Sequence, residues 1–254
     1  MIEVRGVHKA FGALQVLRGV DLDVRDGETL VVLGSSGGGK SVLLKVIAGL
    51  LEPDSGSVRV DGAPRPSRSG LGSARGRGDE GVPPRFAYLF QGAALFDSLS
   101  VAENVCFALR RFTSKSPREL RAAAEERLAW VGLRGVLDKM PSDLSGGMRK
   151  RVGLARAIAL DPSLVLYDEP TTGLDPISSD AIAELILSLQ GRLRCTSVVV
   201  THDMALAFKV GDRLCLLHEG RVHAQAPRDE FRDLDSPVVQ QFIHGRASGP
   251  IQFL

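Results

Sequence analysis

Short apolar strands alternate with amphipathic helices along most of the chain. Apolar residues recur at every second position of residues 2–7, and residues 17–24 follow a similar pattern, which predicts two strands. Thr29–Leu33 and residues 164–167 are instead short continuous apolar runs, as expected for strands buried on both faces. This alternation predicts an α/β fold with a mainly parallel sheet covered by helices.

The middle of the chain follows a helical pattern. Apolar residues are spaced by three or four positions in residues 101–109 and 117–131, with Pro117 at a favourable first helical position. No strand pattern interrupts residues 101–160. We therefore expect three parts, whose predicted bounds are residues 1–94 with 161–235 for an α/β core, 95–160 for a helical subdomain, and 236–254 for a C-terminal tail.

A change of composition between residues 63 and 85 predicts a surface loop. The segment is rich in Gly, Pro, Ser and Arg and contains almost no apolar residues. Its arginines are Arg65, Arg68, Arg75, Arg77 and Arg85. Arginines of this kind can bind acidic lipid headgroups or RNA, whereas Asp79, Glu80 and the many glycines favour a plain solvated loop. The composition leaves both interpretations open.

The overall composition is that of an ordinary globular protein. The 254 residues are 44% hydrophobic and 24% charged, and they suffice for one large domain or a core with a smaller lobe. The 32 basic and 30 acidic residues give a net charge of +2, so charge does not favour a nucleic-acid partner. The three cysteines show no metal-binding spacing, which indicates reduced thiols in a cytosolic protein.

The hydrophobic pattern also bears on the membrane. The N-terminus lacks the apolar segment of a signal peptide. No apolar run approaches the roughly 18 residues of a membrane-spanning helix. We therefore expect any membrane association to depend on a partner.

Residues 34–41 carry the clearest chemical signal. They read Gly-Ser-Ser-Gly-Gly-Gly-Lys-Ser, follow the apolar run Thr29–Leu33 and precede a helical segment. A phosphate-binding loop requires this arrangement, because glycines let backbone N–H groups point at phosphate oxygens and the helix N-terminus adds further donors. Lys40 is expected to reach the β- and γ-phosphates of a nucleoside triphosphate, and the Ser41 hydroxyl to bind Mg²⁺. The predicted loop residues are Gly34, Ser35, Ser36, Gly37, Gly38, Gly39, Lys40 and Ser41.

Polar residues also follow other predicted strands. Asp168 and Glu169 come directly after residues 164–167, while Gln91 and His202 each end a strand pattern. The carboxyl ends of parallel strands are where α/β proteins bind ligands. Asp168 and Gln91 offer oxygen ligands for Mg²⁺, Glu169 can polarise an attacking water, and His202 can hydrogen-bond a γ-phosphate.

Two further features bear on nucleotide binding. Ser145, Gly146 and Gly147 open another predicted helix and form either a second phosphate site or a plain serine N-cap. Phe11 lies between the first two predicted strands, where its ring can stack on an adenine or pack on the core. Spacing alone leaves the role of Phe11 open.

Taken together, these motifs resemble those of the ATP-binding-cassette (ABC) ATPases. Residues 34–41 are similar to the Walker A motif of that family, 164–169 to Walker B, 144–148 to the signature motif, 173–175 to the D-loop, Gln91 to the Q-loop, and His202 to the switch histidine. All six occur in the family's order. The resemblance implies a P-loop NTPase cassette with a RecA-like, mainly parallel sheet core, antiparallel N-terminal β-strands and a helical signature lobe.

The resemblance also implies how the site works. In the family, two cassettes pack head to tail around two ATP molecules, so this chain would form a homodimer with two complete sites. The residues that would hold phosphates and Mg²⁺ within one chain are Lys40, Ser41, Gln91 and Asp168. Those that would close the site from the other chain are Ser145, Gly146 and Gly147.

The catalytic roles follow from the same resemblance. Glu169 would act as general base, His202 would link it to the γ-phosphate, and Asp175 would lie at the dimer seam. Met148 stands where the family signature usually has Gln. Ser145 and the two glycines are intact, so we expect activity to survive.

Three segments narrow the resemblance. The signature ending in Met148, together with residues 95–104 and 241–251, resembles the ATPases of MCE-protein lipid transporters, which include the bacterial Mla system. That implies (phospho)lipid cargo, a membrane permease contacted through residues 91–109, and an MCE-type lipid-binding protein. It also implies a peripheral location, through the permease, at the cytoplasmic face of the inner (plasma) membrane. The tail is expected either to dock on the neighbouring cassette or to fray.

Other functions fit fewer of these features. An ABC importer of amino acids or ions would share every cassette motif, because the membrane subunits select the substrate. Soluble ABC ATPases that act on ribosomes or DNA usually carry two cassettes or coiled-coil inserts, and near-neutral charge gives no support for a nucleic-acid partner. A P-loop kinase would leave residues 144–147, Gln91 and His202 unexplained.

Overall fold

A computed structural model of the chain describes residues 2–64 and 86–252. Most of the predicted arginine-rich loop, residues 65–85, lies outside this range. The chain divides into two compact units, residues 1–68 with 198–254 and residues 69–197. The predicted division into core, helical subdomain and tail stays a prediction.

The elements are numbered in chain order over the described residues. The strands are β1 (Ile2–Phe11), β2 (Leu14–Val24), β3 (Thr29–Leu33), β4 (Ser55–Val60), β5 (Ala63–Pro64), β6 (Phe86–Leu89), β7 (Leu164–Asp168), β8 (Thr196–Thr201), β9 (Arg213–His218) and β10 (Arg221–Pro227). The helices are α1 (Lys40–Ile47), α2 (Val101–Phe112), α3 (Pro117–Trp130), α4 (Gly146–Ala157), α5 (Pro176–Leu193), α6 (Met204–Val210), α7 (Arg228–Phe231) and α8 (Pro237–His244). None of these helices combines the length and apolar character needed to cross a bilayer.

The first unit contains an antiparallel sheet in the order β2-β1-β4-β5. The sequence pattern predicted strands over residues 2–7 and 17–24, whereas β1 and β2 are both longer and meet at a tight turn. The reason is that the register between them shifts at three points, between Val4 and Val7, Val7 and His8, and Lys9 and Ala10. Each shift breaks the two-residue period that the sequence analysis relied on.

Parallel pairing of β3 with β9 aligns the strand that leads into the phosphate loop. The start of β3 is tied to β9, because Thr29 N–H donates to the Asp212 carboxylate at 2.8 Å and Asp212 N–H donates to the Thr29 carbonyl at 2.9 Å. The Arg213 guanidinium adds an ion pair with Glu28 at 2.7 Å, with both side chains largely buried. These contacts fix the register of β3 at its start, and therefore the point at which the loop begins.

The second unit pairs β6 with β7 in parallel and contains α2 to α5. Helices α2 and α3 each begin with a capping box, Ser100 with Glu103 and Ser116 with Glu119. The helices expected in this region are therefore present. Cys106 and Cys195 in this unit, and Cys215 in the first unit, are buried free thiols.

The C-terminal segment folds back on its own unit. The Gln241 side chain, on α8, accepts a hydrogen bond from Ile251 N–H at 2.7 Å and donates to the Ile251 carbonyl at 2.9 Å. Gln241 and Ile251 are both buried. Residues 245–251 are thus held by a buried amide and do not form a frayed end.

Gly153 lets α4 pack directly on the segment after β6. A Cβ at Gly153 would lie 2.9 Å from the Ala93 Cβ, whereas a Cβ at Gly191 of α5 would meet no described atom within 4 Å. We expect Gly191→Ala to raise the free energy of unfolding by about 0.5–1 kcal/mol, because alanine costs less backbone entropy in a helix. We expect Gly153→Ala to lower it by about 1–2 kcal/mol through overpacking. Urea denaturation of the purified variants measures both, and equal stabilisation by the two would contradict this packing.

Candidate functional site

The phosphate loop is built by a buried strand, a glycine turn and a helix. All five residues of β3 are buried, and α1 begins at Lys40. Gly37 and Gly39 adopt positive φ angles of 78° and 95°, a region that side-chain-bearing residues rarely enter. Gly39 is also close to β2, because a Cβ there would lie 3.0 Å from the Val16 carbonyl oxygen. The loop therefore requires glycine at Gly39 for both backbone angle and space.

Lys40 holds the loop in its curled form. Its ammonium donates to the Gly34 carbonyl at 2.8 Å and to the Ser35 carbonyl at 3.0 Å, and the residue is only 5% exposed. A largely buried ammonium at a helix N-terminus is a strong anion site, because the helix adds unsatisfied N–H donors. This geometry suits the phosphate groups of a nucleotide.

Phe11 and His202 also lie in the first unit and are exposed to solvent. Phe11, the last residue of β1, is 50% exposed, with the Lys9 ammonium 5.7 Å from its ring centroid. An exposed ring is available for stacking on a base, which favours the ligand role that the sequence left open. His202 follows β8, and the adjacent Asp203 caps α6 by accepting from Leu206 N–H at 3.1 Å.

Two acidic residues end β7 in the second unit. Asp168 and Glu169 are 5% and 7% exposed, and the Asp168 carboxylate accepts a hydrogen bond from the Tyr88 hydroxyl at 2.8 Å. Burial, together with the neighbouring Asp168 carboxylate, raises the pKa of Tyr88, so its hydroxyl stays protonated and donates. Asp168 is an oxygen ligand of the type that Mg²⁺ prefers.

Glu169 has an unusual backbone conformation. Its φ is 49°, in the left-handed region, and its carboxylate accepts from the Thr172 hydroxyl at 3.2 Å. The Lys150 ammonium, on α4 and only 8% exposed, donates to the Glu169 carbonyl at 3.3 Å. Burial lowers the pKa of Lys150, and the nearby Glu169 carboxylate opposes that shift. Lys150 thus helps to hold the turn that carries Glu169.

Ser145 caps α4, and the two residues that follow are exposed or half-buried glycines. The Ser145 hydroxyl accepts from Met148 N–H at 3.3 Å. A Cβ added at Gly146 or Gly147 would meet no described atom within 4 Å. No contact inside the described part of the chain therefore requires glycine at these positions, which suits a surface that something else approaches closely.

Gln91 lies exposed in a turn after β6. That turn contains Ala93 and Ala94 at positive φ angles of 62° and 47°. The Arg156 guanidinium of α4 holds it by donating to the Ala93 carbonyl at 2.6 Å and the Ala94 carbonyl at 2.7 Å. Residue Gln91 is therefore exposed on a turn that is itself braced.

Asp175 has a structural role in this chain. It is the N-cap of α5, and its carboxylate accepts from the N–H groups of Ile177 and Ser178, both at 3.0 Å. These contacts and the Ser178 hydroxyl at 2.6 Å lower the pKa of Asp175, with the hydroxyl contributing most. The expectation that Asp175 binds nucleotide at a dimer seam stays a prediction.

An apolar groove of about 450 Å³ lies beside the Gln91 turn, within the second unit. Three aromatic residues that line it are exposed, namely Phe90 (38%), Phe96 (42%) and Phe107 (52%). Exposed aromatic residues grouped around a groove are typical of a protein-interaction site. The groove includes part of the segment 91–109, for which the sequence analysis expected a membrane partner.

The structure describes the predicted site residues in two separate groups. The first unit carries Phe11, residues 34–41 and His202, and the second carries Gln91, Ser145, Gly146, Gly147, Asp168, Glu169 and Asp175. The sequence analysis missed Tyr88 and Lys150. A tyrosine in an otherwise apolar strand and a lysine within a helix that follows a signature motif were the available signals, but neither shows its partner without coordinates.

Comparisons with known proteins agree with these motifs. A profile of the ABC transporter family matches residues 17–172. The chain is 42% identical to the chloroplastic protein TRIGALACTOSYLDIACYLGLYCEROL 3 of Arabidopsis thaliana, over all of this chain and 76% of that protein. It is 40% identical to a probable ribonucleotide transport ATP-binding protein, mkl, of Mycobacterium leprae, over 98% and 70% of the two chains.

Two further comparisons concern a bacterial transport system and a solved structure. The chain is 36% identical to the intermembrane phospholipid transport system ATP-binding protein MlaF of Escherichia coli K12, over all of this chain and 92% of that protein. The structure superimposes with a TM-score of 0.79 and 31% identity on a dimeric, post-hydrolysis state of the ATP-binding cassette MJ0796 bound to ADP and Pi, covering 90% and 99% of the two chains. The expected P-loop cassette fold is therefore confirmed.

Replacing Lys40 should disable nucleotide binding. We expect Lys40→Ala to weaken ATP binding by about 10- to 100-fold, because it removes a charge-assisted contact to phosphate. Lys45→Ala, on the same helix but exposed, is the matched control and should bind ATP like the unchanged chain. Isothermal titration calorimetry measures both dissociation constants. An unchanged value for Lys40→Ala would show that the loop does not bind phosphate.

Proposed function

The chain belongs to the ABC transporter family and is an ABC ATPase, and we propose that it powers the transport of phospholipid or a related lipid through a membrane permease. The observation that carries this proposal is the pairing, on one chain, of a phosphate loop with an open signature surface. The loop holds a buried Lys40, and Gly146 and Gly147 begin α4 with no described neighbour that requires a glycine. Such a chain has one half of each of two sites.

A symmetric homodimer would complete both sites. Head-to-tail packing would place the Ser145, Gly146 and Gly147 surface of one copy over the phosphate loop of its partner. The N-terminus of α4 would add N–H donors to the γ-phosphate. The dimeric state of the MJ0796 cassette supports this arrangement. Phe11 would stack on the adenine.

The predicted ligands fit Mg²⁺ chemically. Ser41, Gln91 and Asp168 offer a hydroxyl, an amide and a carboxylate oxygen, which together with phosphates and water are the ligands that Mg²⁺ usually takes. The bound ion would neutralise charge on the phosphate oxygens during transfer. Asp168 is suited to this role because its carboxylate is largely buried and oriented by a hydrogen bond.

The reaction is attack by water on the γ-phosphorus of ATP. The Glu169 carboxylate would accept a proton from the water as its oxygen bonds to phosphorus, while the bond from phosphorus to the bridging oxygen breaks and ADP leaves. Lys40 would stabilise charge on the transferred group, and His202 would orient the γ-phosphate relative to Glu169. Buried donors aimed at the phosphates supply most of the catalysis.

The apolar groove in the second unit is the proposed docking site for the permease. An amphipathic cytoplasmic helix of the permease would insert apolar side chains among Phe90, Phe96 and Phe107. This contact would hold the chain at the cytoplasmic face of the inner membrane. An MCE-type lipid-binding protein is the further expected component.

The lipid cargo rests on the similarity to proteins named for lipid transport. MlaF is named for intermembrane phospholipid transport, and it matches this chain over its whole length. The mkl protein is instead named for ribonucleotide transport, so the printed names alone give two cargo classes. The signature ending in Met148 and the ordered C-terminal segment held by Gln241 favour the lipid class.

Replacing Glu169 should separate binding from hydrolysis. We expect Glu169→Gln to bind ATP normally but to lower kcat by roughly 10²–10⁴-fold, because an amide cannot accept the proton. It should accumulate a closed dimer with ATP, detectable by size-exclusion chromatography with light scattering. Glu184→Gln, an exposed glutamate of α5, is the control and should turn over normally. Normal turnover by Glu169→Gln would reject the base assignment.

Purification of the tagged chain from its native membranes in mild detergent tests the transporter and its cargo. We expect a multi-spanning permease, an MCE-domain protein and bound phospholipid, identified by mass spectrometry. Phe107→Arg should lose the permease, because a charge would be desolvated in the apolar groove. Leu50→Arg, another exposed apolar position at 42% exposure, should retain it. A permease with a nucleotide-binding partner protein would reject the lipid cargo, and no permease at all would reject the transporter.

A further inference from the structure

We propose that Tyr88 is a positioning residue that links the apolar groove to the Asp168 carboxylate, so that occupation of the groove alters metal binding. This inference rests on the proposed function, which makes Asp168 a ligand of Mg²⁺ and the groove a docking site. Nothing in the sequence motifs assigns a role to Tyr88, because it lies inside the apolar strand β6 and outside every motif.

One end of Tyr88 contacts the acidic end of β7. Strands β6 and β7 run parallel, with Tyr88 opposite Leu166, so its long side chain reaches forward to Asp168. The hydroxyl donates to Asp168 Oδ2 at 2.8 Å. A hydrogen bond to a carboxylate is among the stronger neutral-to-charged contacts, and this one holds a side chain that is 5% exposed. Tyr88 therefore helps to set the orientation of the carboxylate.

The other end of Tyr88 lies in the groove. Its ring centroid is 4.4 Å from that of Phe90, with the two planes inclined by 40°, and both rings line the cavity. Phe90 is 38% exposed and precedes Gln91 directly. An apolar side chain that entered the groove would contact these rings. Any rotation of the Tyr88 ring would then move its hydroxyl relative to Asp168.

A rigid aromatic side chain is well suited to such a link. Tyrosine has only two side-chain torsions, so a displacement at the ring carries through to the hydroxyl with little loss. Burial and the adjacent carboxylate keep the pKa of Tyr88 raised, so the hydroxyl remains a donor throughout the physiological pH range. The link therefore responds to contacts in the groove and not to pH.

Removal of the hydroxyl tests the inference while the ring is kept. Tyr88→Phe is made in the Glu169→Gln background, so that binding is measured without hydrolysis. A fluorescent ATP analogue is held at a fixed concentration while Mg²⁺ is titrated from an EDTA-buffered start. We expect the half-saturating Mg²⁺ concentration to rise about tenfold, which corresponds to the loss of one hydrogen bond to a charged group.

The chain contains a matched control. Tyr167 is its other tyrosine, lies in β7 next to Asp168 in sequence, and is fully buried. Tyr167→Phe removes a hydroxyl in the same way, and its Mg²⁺ titration should match that of the Glu169→Gln background. Nucleotide affinity in EDTA should be the same for all three proteins, which separates metal binding from a general loss of folding or of nucleotide binding.

Each outcome has a distinct meaning. If the background protein binds nucleotide and Mg²⁺ strengthens binding, a Tyr88→Phe titration that superimposes on it overturns the role of Tyr88 alone. An equal shift in Tyr167→Phe also overturns it, because the effect would then come from general loosening of β7. If the background protein shows no nucleotide binding, the proposed function itself fails.

The complex provides the test of the groove. In the complete transporter, assembly should be unchanged in Tyr88→Phe because the ring remains. We expect the permease to lower the half-saturating Mg²⁺ concentration of the Glu169→Gln chain by several-fold, and this change to disappear in Tyr88→Phe. A permease effect that persists in Tyr88→Phe, or its absence from the background complex, would overturn the link between groove and carboxylate.

Discussion

Burial of the Lys40 ammonium is the constraint on which the shape of the phosphate loop depends. A charged amine that is 5% exposed is costly unless it is hydrogen-bonded, and the Gly34 and Ser35 carbonyls supply acceptors. They can do so only if the backbone curls around the amine, which requires positive φ at Gly37 and Gly39. The same curl turns N–H groups toward the space where phosphates would bind. A stable fold and an anion site thus have one common cause.

The second unit meets a similar requirement with acids in place of a base. Asp168 and Glu169 are buried at the end of β7, where an unpaired carboxylate would be strongly unfavourable. Tyr88 hydrogen-bonds the first, and Thr172 and Lys150 contact the side chain and backbone of the second. These partners come from β6, the turn after β7 and α4, so three separate segments orient the chemistry at one strand end.

The site motifs could be predicted because their chemistry depends on residues that are close in sequence. The phosphate loop needs only eight consecutive residues between a strand and a helix, and the capping of α4 by Ser145 needs four. The bounds of β1 were harder to predict, because register shifts break the alternation on which strand prediction depends. Asp175 shows a second limit. Its N-cap role follows from its place before Pro176, yet it was assigned only to the dimer seam.

The sequence by itself determined the family, the α/β fold class and the positions of the nucleotide motifs, since each is a short-range pattern of residue types. Only the tertiary structure decided that Tyr88 contacts Asp168, that Lys150 contacts Glu169, and that Gln241 holds Ile251. The first two pairs are 80 and 19 residues apart in sequence. The physical reason is that a buried polar group must find a partner among whatever residues packing brings near it, and sequence spacing does not encode that neighbourhood.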